Sequence, residues 1–211
     1  LEGMRPYMKK DAYGAYTICN IYYDTPDWRL IRTSLEKPVY KEKLRVRSYG
    51  VPEEDGTVFV ELKKKFKGVV YKRRAAMGAR DAAEYLAGGR AAPGDGQVTR
   101  EIDWFLKTHE VRPRAFIACD REAYAGRGDG ELRITFDENI RWRAEELDLT
   151  CGDGGESILP QGSVLMEIKL PEAAPLWLAE MLSENRLFPA GFSKYGECYK
   201  ANLINGVIFS V

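Results

Sequence analysis

The sequence predicts an α+β domain dominated by an antiparallel sheet of about eight strands with peripheral helices. Three observations predict it. Segments rich in β-branched and aromatic residues recur along the chain, most are separated by tight Gly- or Pro-containing breaks, and nearly all alternate apolar with charged residues. With 211 residues, 45% of them hydrophobic and 11% aromatic, the chain has the material for one packed core. The domain reading is therefore a single unit over 1–211.

Tyr16 to Asp24 reads as a strand that stops at Thr25-Pro26-Asp27, a helix cap for Trp28 to Glu36. Strands follow over Val39–Tyr49, Thr57–Lys65 and Val69–Arg74. The breaks Gly50-Val51-Pro52, Asp55-Gly56 and Lys67-Gly68 are hairpin-like, which predicts antiparallel neighbours. Between Ala75 and Lys107 the texture turns Ala-rich and helical, with Arg80–Ala87 and Thr99–Lys107 flanking an exposed loop at Ala92–Gly96. Strands resume at Pro113–Tyr124, Glu131–Asp137 and Asn139–Arg143, with weaker segments at Glu146–Thr150 and Ser157–Leu159 and a strong one at Ser163–Leu170. Pro171 ends that strand, and Ala174–Arg186 and Tyr195–Asn205 read as closing helices.

The charge balance, 32 Lys+Arg against 32 Asp+Glu, excludes a globally basic nucleic-acid binder and an acidic disordered tail. No run approaches the ~20 apolar residues of a membrane-spanning helix, and Leu1–Pro6 lacks a secretory apolar stretch, so no membrane insertion is expected. Cys19, Cys119, Cys151 and Cys198 are widely spaced with no C-x-x-C pair, which predicts reduced thiols, a cytoplasmic location and no structural zinc. The single histidine, His109, falls at a helix end and reads as structural, so the chemistry is expected to proceed without a histidine base.

Within that neutral total the basicity is concentrated. Residues 37–74 hold 12 Lys+Arg against 5 Asp+Glu, an excess of seven. On one face of the second strand stand Lys41, Lys43, Arg45 and Arg47; Glu61, Lys63 and Lys65 share a face of the next, and Lys72 with Arg74 of the one after. Later strands repeat the alternation, setting Arg133, Thr135 and Asp137 opposite Leu132, Ile134 and Phe136, and Leu165, Glu167 and Lys169 opposite Val164, Met166 and Ile168. A sheet wet on one face would explain alternation alone. Like charges on adjacent strands are destabilising unless an anion lies between them, so the sign of the charge points to an anionic ligand. Arg offers a planar fork for phosphate oxygens, and a carboxylate among cations, Glu61 or Glu167, suits Mg²⁺ or Mn²⁺ held against a polyphosphate. G-x-x-x-x-G-K-[S/T] and G-x-G-x-x-G are both absent, which excludes the P-loop and the dinucleotide fold.

These residues resemble the vacuolar transporter chaperone (VTC) domain of the CYTH-like triphosphate tunnel superfamily, from about Tyr16 to Lys200. The likeness is carried in order by Asn20-Ile21-Tyr22-Tyr23-Asp24-Thr25, Lys43–Gly50, Glu61-Leu62-Lys63, Tyr71-Lys72-Arg73-Arg74, Asp120–Tyr124, Arg133–Asp137, Met166-Glu167-Ile168-Lys169 and Phe192-Ser193-Lys194-Tyr195. It implies a closed antiparallel tunnel, a β-barrel whose lumen binds triphosphate or polyphosphate with Mn²⁺ or Mg²⁺. In eukaryotic members this domain moves the γ-phosphoryl of ATP onto a growing polyphosphate chain. By the resemblance, Arg45, Arg47, Lys63, Lys72, Arg121, Arg133 and Lys194 are phosphate-binding, Ser193 accompanies Lys194, and Glu167 is the metal ligand. Arg45, Arg47 and Glu167 are the catalytic set it implies. Strand parity alone leaves Lys41, Lys43, Lys65, Arg74 and Lys169 equally eligible.

Two departures from the family pattern are expected to matter. A strand with its own tunnel residues usually precedes the segment matched by Leu1–Lys10, and its lack here implies a tunnel wall absent, displaced or supplied by another chain. Gly191 also stands where some members carry a further lysine. Three other activities compete with the polymerase: hydrolysis of tripolyphosphate or a nucleoside triphosphate, non-catalytic binding of polyphosphate or inositol phosphates, and nucleic-acid binding on the basic strands. Neutral overall charge argues against the last, so no nucleic-acid partner is expected. The reading leaves room for a membrane-anchored partner.

Overall fold

The computed structural model describes residues 2–94, 96–128, 130–171 and 173–208, with side chains through 202. Leu1 and Asp95 of the sequence reading lie outside the described residues. Eight antiparallel strands form one sheet: β1 (Met8–Asp24), β2 (Tyr40–Tyr49), β3 (Thr57–Phe66), β4 (Val69–Gly78), β5 (Arg112–Gly126), β6 (Arg133–Arg143), β7 (Glu156–Ser157) and β8 (Leu165–Lys169). Their order is β4-β3-β2-β1-β5-β6-β7, and β8 pairs with the first half of β6. Among the described residues five α-helices decorate it: α1 (Arg29–Leu35), α2 (Ala79–Leu86), α3 (Gln97–Thr108), α4 (Leu176–Glu184) and α5 (Lys194–Ile208). The α+β antiparallel architecture is the expected one. No hydrogen-bonded pair between β4 and β8 closes the sheet among the described residues; its curl brings their side chains to one cavity instead.

Alternation along the strands places the core. Leu44, Val46, Val58, Val60 and Leu62 turn to one face and pack beneath Ala82, Tyr85, Ile102 and Phe105 of α2 and α3. Burying each such side chain stabilises by roughly 1.5–3 kcal/mol, which fixes the register and hence commits the alternate positions to the opposite face. A second cluster joins Ile18, Tyr22, Ile117 and Ile140 to Trp28, Ile31 of α1 and to Tyr195 and Cys198 of α5. A third sets Leu178 of α4 against Met4, Met8, Leu132 and Ile134.

Asp24 ties two of these clusters together. Its carboxylate accepts the amides of Thr25, Leu30 and Ile31 and the Tyr195 hydroxyl, while Thr25 Oγ1 accepts the Arg29 amide. The otherwise unpaired first amides of α1 are thereby satisfied, as the Thr25-Pro26-Asp27 cap predicts. His109 follows the end of α3, where its ring contacts Phe105 and its Nε2 lies 3.2 Å from Glu42, a structural position. All four cysteines are free. No helix among the described residues is long and apolar enough to cross a membrane.

The boundaries differ from the sequence reading in several places, among them β4, which runs on through Ala75–Met77 to Gly78 where the sequence reads the start of a helical segment. β1 begins eight residues before Tyr16, because a register shift between Lys10 and Ala15, with Gly14 at φ +71°, carries the pairing past an irregular stretch. The two segments either side of Glu138 are one strand, bent where Asn139 adopts φ +48° opposite a bulge at Ala118/Asp120. Glu146–Thr150 is not a strand: Asp148 Oδ1 accepts both the amide and the hydroxyl of Thr150 and turns the chain. Ser157–Leu159 contributes only the two-residue strand β7, at Glu156–Ser157.

Candidate functional site

Strand register brings the basic rows into lines that cross the sheet. Lys43 of β2 faces Lys63 of β3, which faces Lys72 of β4; one step along, Arg45 faces Glu61, which faces Arg74. Three cations therefore converge on one carboxylate. Glu61, 1% exposed, accepts from Arg45 Nε at 2.8 Å, Arg74 Nη2 at 2.6 Å and Lys72 Nζ at 2.8 Å. Burial pushes the Glu61 carboxyl up, but the Arg45 and Arg47 charges and the bonds from Lys72 and Arg74 outweigh it and hold it at about 2.

A second knot sits across the sheet. Asp137 of β6, fully buried, accepts two bonds from Arg121 of β5, from Nε at 2.6 Å and Nη2 at 2.7 Å. Lys194, the first residue of α5, donates to Asp137 Oδ2 and to Glu167 Oε1 of β8, the latter at 2.9 Å. Burial acts against ionisation of both acids, and the neighbouring cations reverse it: Arg121 and Lys194 hold Asp137 below its ordinary value, and Lys194 does the same for Glu167. Asp137 shares its strand face with Arg133, but its partners are Arg121 and Lys194, because Arg121 is its register partner on β5.

Other cations on these faces have no carboxylate partner among the described residues. Burial lowers Lys43, Arg47 and Lys63, and neighbouring cations, Arg45 above all for Arg47 and Lys63, lower them further. Arg47 is anchored neutrally, donating from Nε to Asn20 Oδ1 at 2.9 Å. Arg133 and Lys169, paired in register on β6 and β8, are exposed and make no ion pair among the described residues. The positive charges of Lys43, Arg47 and Lys63 are opposed by their cationic neighbours, and a bound anion would relieve the repulsion.

Paired and unpaired cations meet at a cavity of about 880 Å³, to which every strand except β7 contributes. Its wall includes Tyr16, Arg47, Arg74, Arg121, Arg133 and Glu167. Of the residues singled out from the sequence, Arg47, Lys72, Arg121, Arg133 and Glu167 line it. Arg45 stands behind the wall, donating to Glu61 and, at 3.0 Å, to the Tyr22 hydroxyl. Lys63 lies in register between Lys43 and Lys72, and Lys194 braces Asp137 and Glu167. Ser193 is directed elsewhere: its Oγ accepts the Gly196 amide at 3.2 Å and its carbonyl accepts the Glu197 amide, so it caps α5.

Parity selects a face but not a neighbour, and it left Arg74 and Lys169 eligible; both line the cavity. Tyr16, Tyr49 and Phe59 also line it, with the Arg74 guanidinium 4.4 Å from the Phe59 ring centroid. Nothing in the sequence marked Asn20 and Tyr22 as the supports of Arg47 and Arg45, beyond their alternate positions on β1. Among the described residues no group of three or more His, Cys, Asp or Glu could hold a metal by itself. Glu167 presents a half-exposed carboxylate at the cavity with one oxygen bonded to Lys194. That donor set fits a Mg²⁺-like ion that takes one carboxylate from the protein and its other oxygens from phosphate and water.

The family model described as the VTC domain matches residues 3–203. Fourteen chains of solved structures match. One is a Bacillus halodurans protein described as a "putative adenylate cyclase", with TM-score 0.54 and 12% identity over 87% of this chain and 81% of that one. At that identity the likeness speaks for the fold alone. No curated protein matches the sequence.

Proposed function

The chain belongs to the VTC domain family, and we propose that it binds triphosphate or polyphosphate in the cavity and transfers the γ-phosphoryl of ATP to the end of a phosphate chain. The observation that carries this reading is the excess of cations over carboxylates on one concave wall, with Arg47, Arg133 and Lys169 left without a counter-charge among the described residues. A linear polyanion satisfies several of these positions at once.

Phosphoryl transfer proceeds largely by positioning and by neutralising the oxygens of a loose transition state. Arg47 and Arg133 present guanidinium groups for bidentate contact with phosphate oxygens. Lys63 and Lys72 extend the cradle. Arg45, Arg121 and Lys194 are held by Glu61 and Asp137, so the wall is positioned before substrate arrives and little reorganisation is needed. Glu167 would hold Mg²⁺ or Mn²⁺, which would supply further neutralisation of phosphate charge. A phosphate chain end is already an anionic nucleophile, so no general base is required. His109 lies on the opposite side of β2, beside Glu42, and takes no part.

The test is product analysis with ATP and Mn²⁺. Phosphate chains that lengthen with time, and that disappear in Arg47→Ala, are the expected result. Release of free phosphate without chains identifies water as the acceptor and makes the protein a hydrolase on the same cavity. Absence of turnover together with tight tripolyphosphate binding identifies a binding module.

A further inference from the structure

We propose that the apex of the β3–β4 hairpin docks on an anionic lipid bilayer, as a surface separate from the cavity. Residues 65–71, clear of the cavity lining, carry Lys65 and Lys67 and no acidic residue. Phe66 pairs with Val69 across a two-residue turn in which Lys67 has φ +46° and Gly68 φ +88°, a type I′ geometry that makes a narrow, rigid tip. At such a tip polar residues are the rule, yet Phe66 is 45% exposed, Val69 54% and Val70 48%, and Val39 and Tyr40 beside them are as open.

The arrangement of these side chains selects the occupant. Tyr40, Phe66 and Val69 are cross-strand partners and share one side of the ribbon, while Val70, partner of Lys65 and thereby of Lys41, takes the other. A convex tip apolar on both sides lacks the groove or flat face that a protein partner would pack against. A fluid interface can surround it, with aromatic rings at headgroup depth. Lysines ring the apolar residues. Lys67 Nζ lies 5.4 Å from the Phe66 ring centroid, and Lys37 and Lys65 are exposed without ion partners among the described residues. Of the nearby carboxylates, Glu42 accepts the Tyr40 hydroxyl and also meets Lys64 and His109, and Glu101 meets Lys64 and Arg73, so both are already engaged. Negative lipid headgroups complement that ring, and long Lys side chains reach them while their stems cover apolar surface.

Flotation of the full chain with phosphatidylcholine vesicles, with and without phosphatidylserine, tests the proposal. Binding is expected only to the phosphatidylserine vesicles, weakened roughly tenfold or more by Phe66→Ser/Val69→Ser/Val70→Ser and again by Lys65→Glu/Lys67→Glu. It is expected to persist when tripolyphosphate occupies the cavity, so it stands or falls independently of the proposed activity. A Val69→Trp reporter should shift its emission to the blue on anionic vesicles. Failure of the wild-type chain to float, flotation unchanged by the apex variants, or flotation abolished by tripolyphosphate at cavity-saturating concentration overturns the proposal. So does capture of a polyglutamate peptide by the apex without vesicle binding, which would make the partner an acidic protein.

Discussion

The cations around Glu61 and Asp137 differ from those along the open wall in what holds them. Arg45, Lys72, Arg74, Arg121 and Lys194 are fixed by buried carboxylates at hydrogen-bond distance. Arg47, Lys63, Arg133 and Lys169 stand without such partners among the described residues, and burial together with neighbouring positive charge disfavours the protonated form of Arg47 and Lys63. The first set braces the fold, and under the proposed function the second is left to meet the ligand, with Lys72, bonded to Glu61 and open to the cavity, serving both. A wall made only of the second kind would repel itself apart, and one made only of the first would have no charge to offer a phosphate.

The largest expected effect breaks the first set. Glu61→Gln leaves three converging cations without their carboxylate and should cost about 3 kcal/mol of stability in urea unfolding. Saturating tripolyphosphate should return part of that loss, because a bound anion supplies the missing charge. The same contrast has a pH signature. The Glu61 carboxyl is held at about 2 against an ordinary value of 4.5, so its contribution is complete above pH 4.5 and disappears as pH falls toward 2. Acid unfolding should begin within that window in the wild type, and the dependence should flatten in Glu61→Gln.

A smaller effect comes from the supports. Tyr22→Phe removes the hydroxyl that accepts from Arg45 while keeping the stack on Tyr195, 4.5 Å between centroids, and should cost about 1 kcal/mol in the same unfolding measurement. The smallest is expected in the second set. Arg133→Ala should leave stability within about 0.5 kcal/mol of wild type, since an exposed cation without a partner contributes little to folding. A large loss there would place Arg133 in the fold and erase the distinction between the two sets.

Much of this was legible because strand alternation is a local property. The faces of Lys43, Arg45 and Arg47, and of Arg133 and Glu167, could be read from parity, since the buried Leu44, Val46 and Ile134 fix the opposite side. Which cations would be paired could not. Arg74 reaches Glu61 through the register of β3 with β4, and Lys194 reaches Asp137 from the start of a helix 57 residues away, relations that no local pattern encodes. The continuity of β6 through Asn139 and the extension of β1 past Gly14 escaped for a related reason: bulges break the alternation that reveals a strand. Ser193 carried a motif resemblance, but its hydroxyl is engaged by the Gly196 amide at the start of α5, a local capping interaction.

The most direct measurement is a calorimetric titration of tripolyphosphate into the wild-type chain and into Arg47→Ala/Arg133→Ala at matched ionic strength. One site per chain is expected, with affinity falling by roughly a hundredfold or more in the double variant while a cooperative unfolding transition shows that it remains folded. Equal affinity in the two proteins, or no binding to either, would contradict the assignment of the unpaired cations to an anionic ligand.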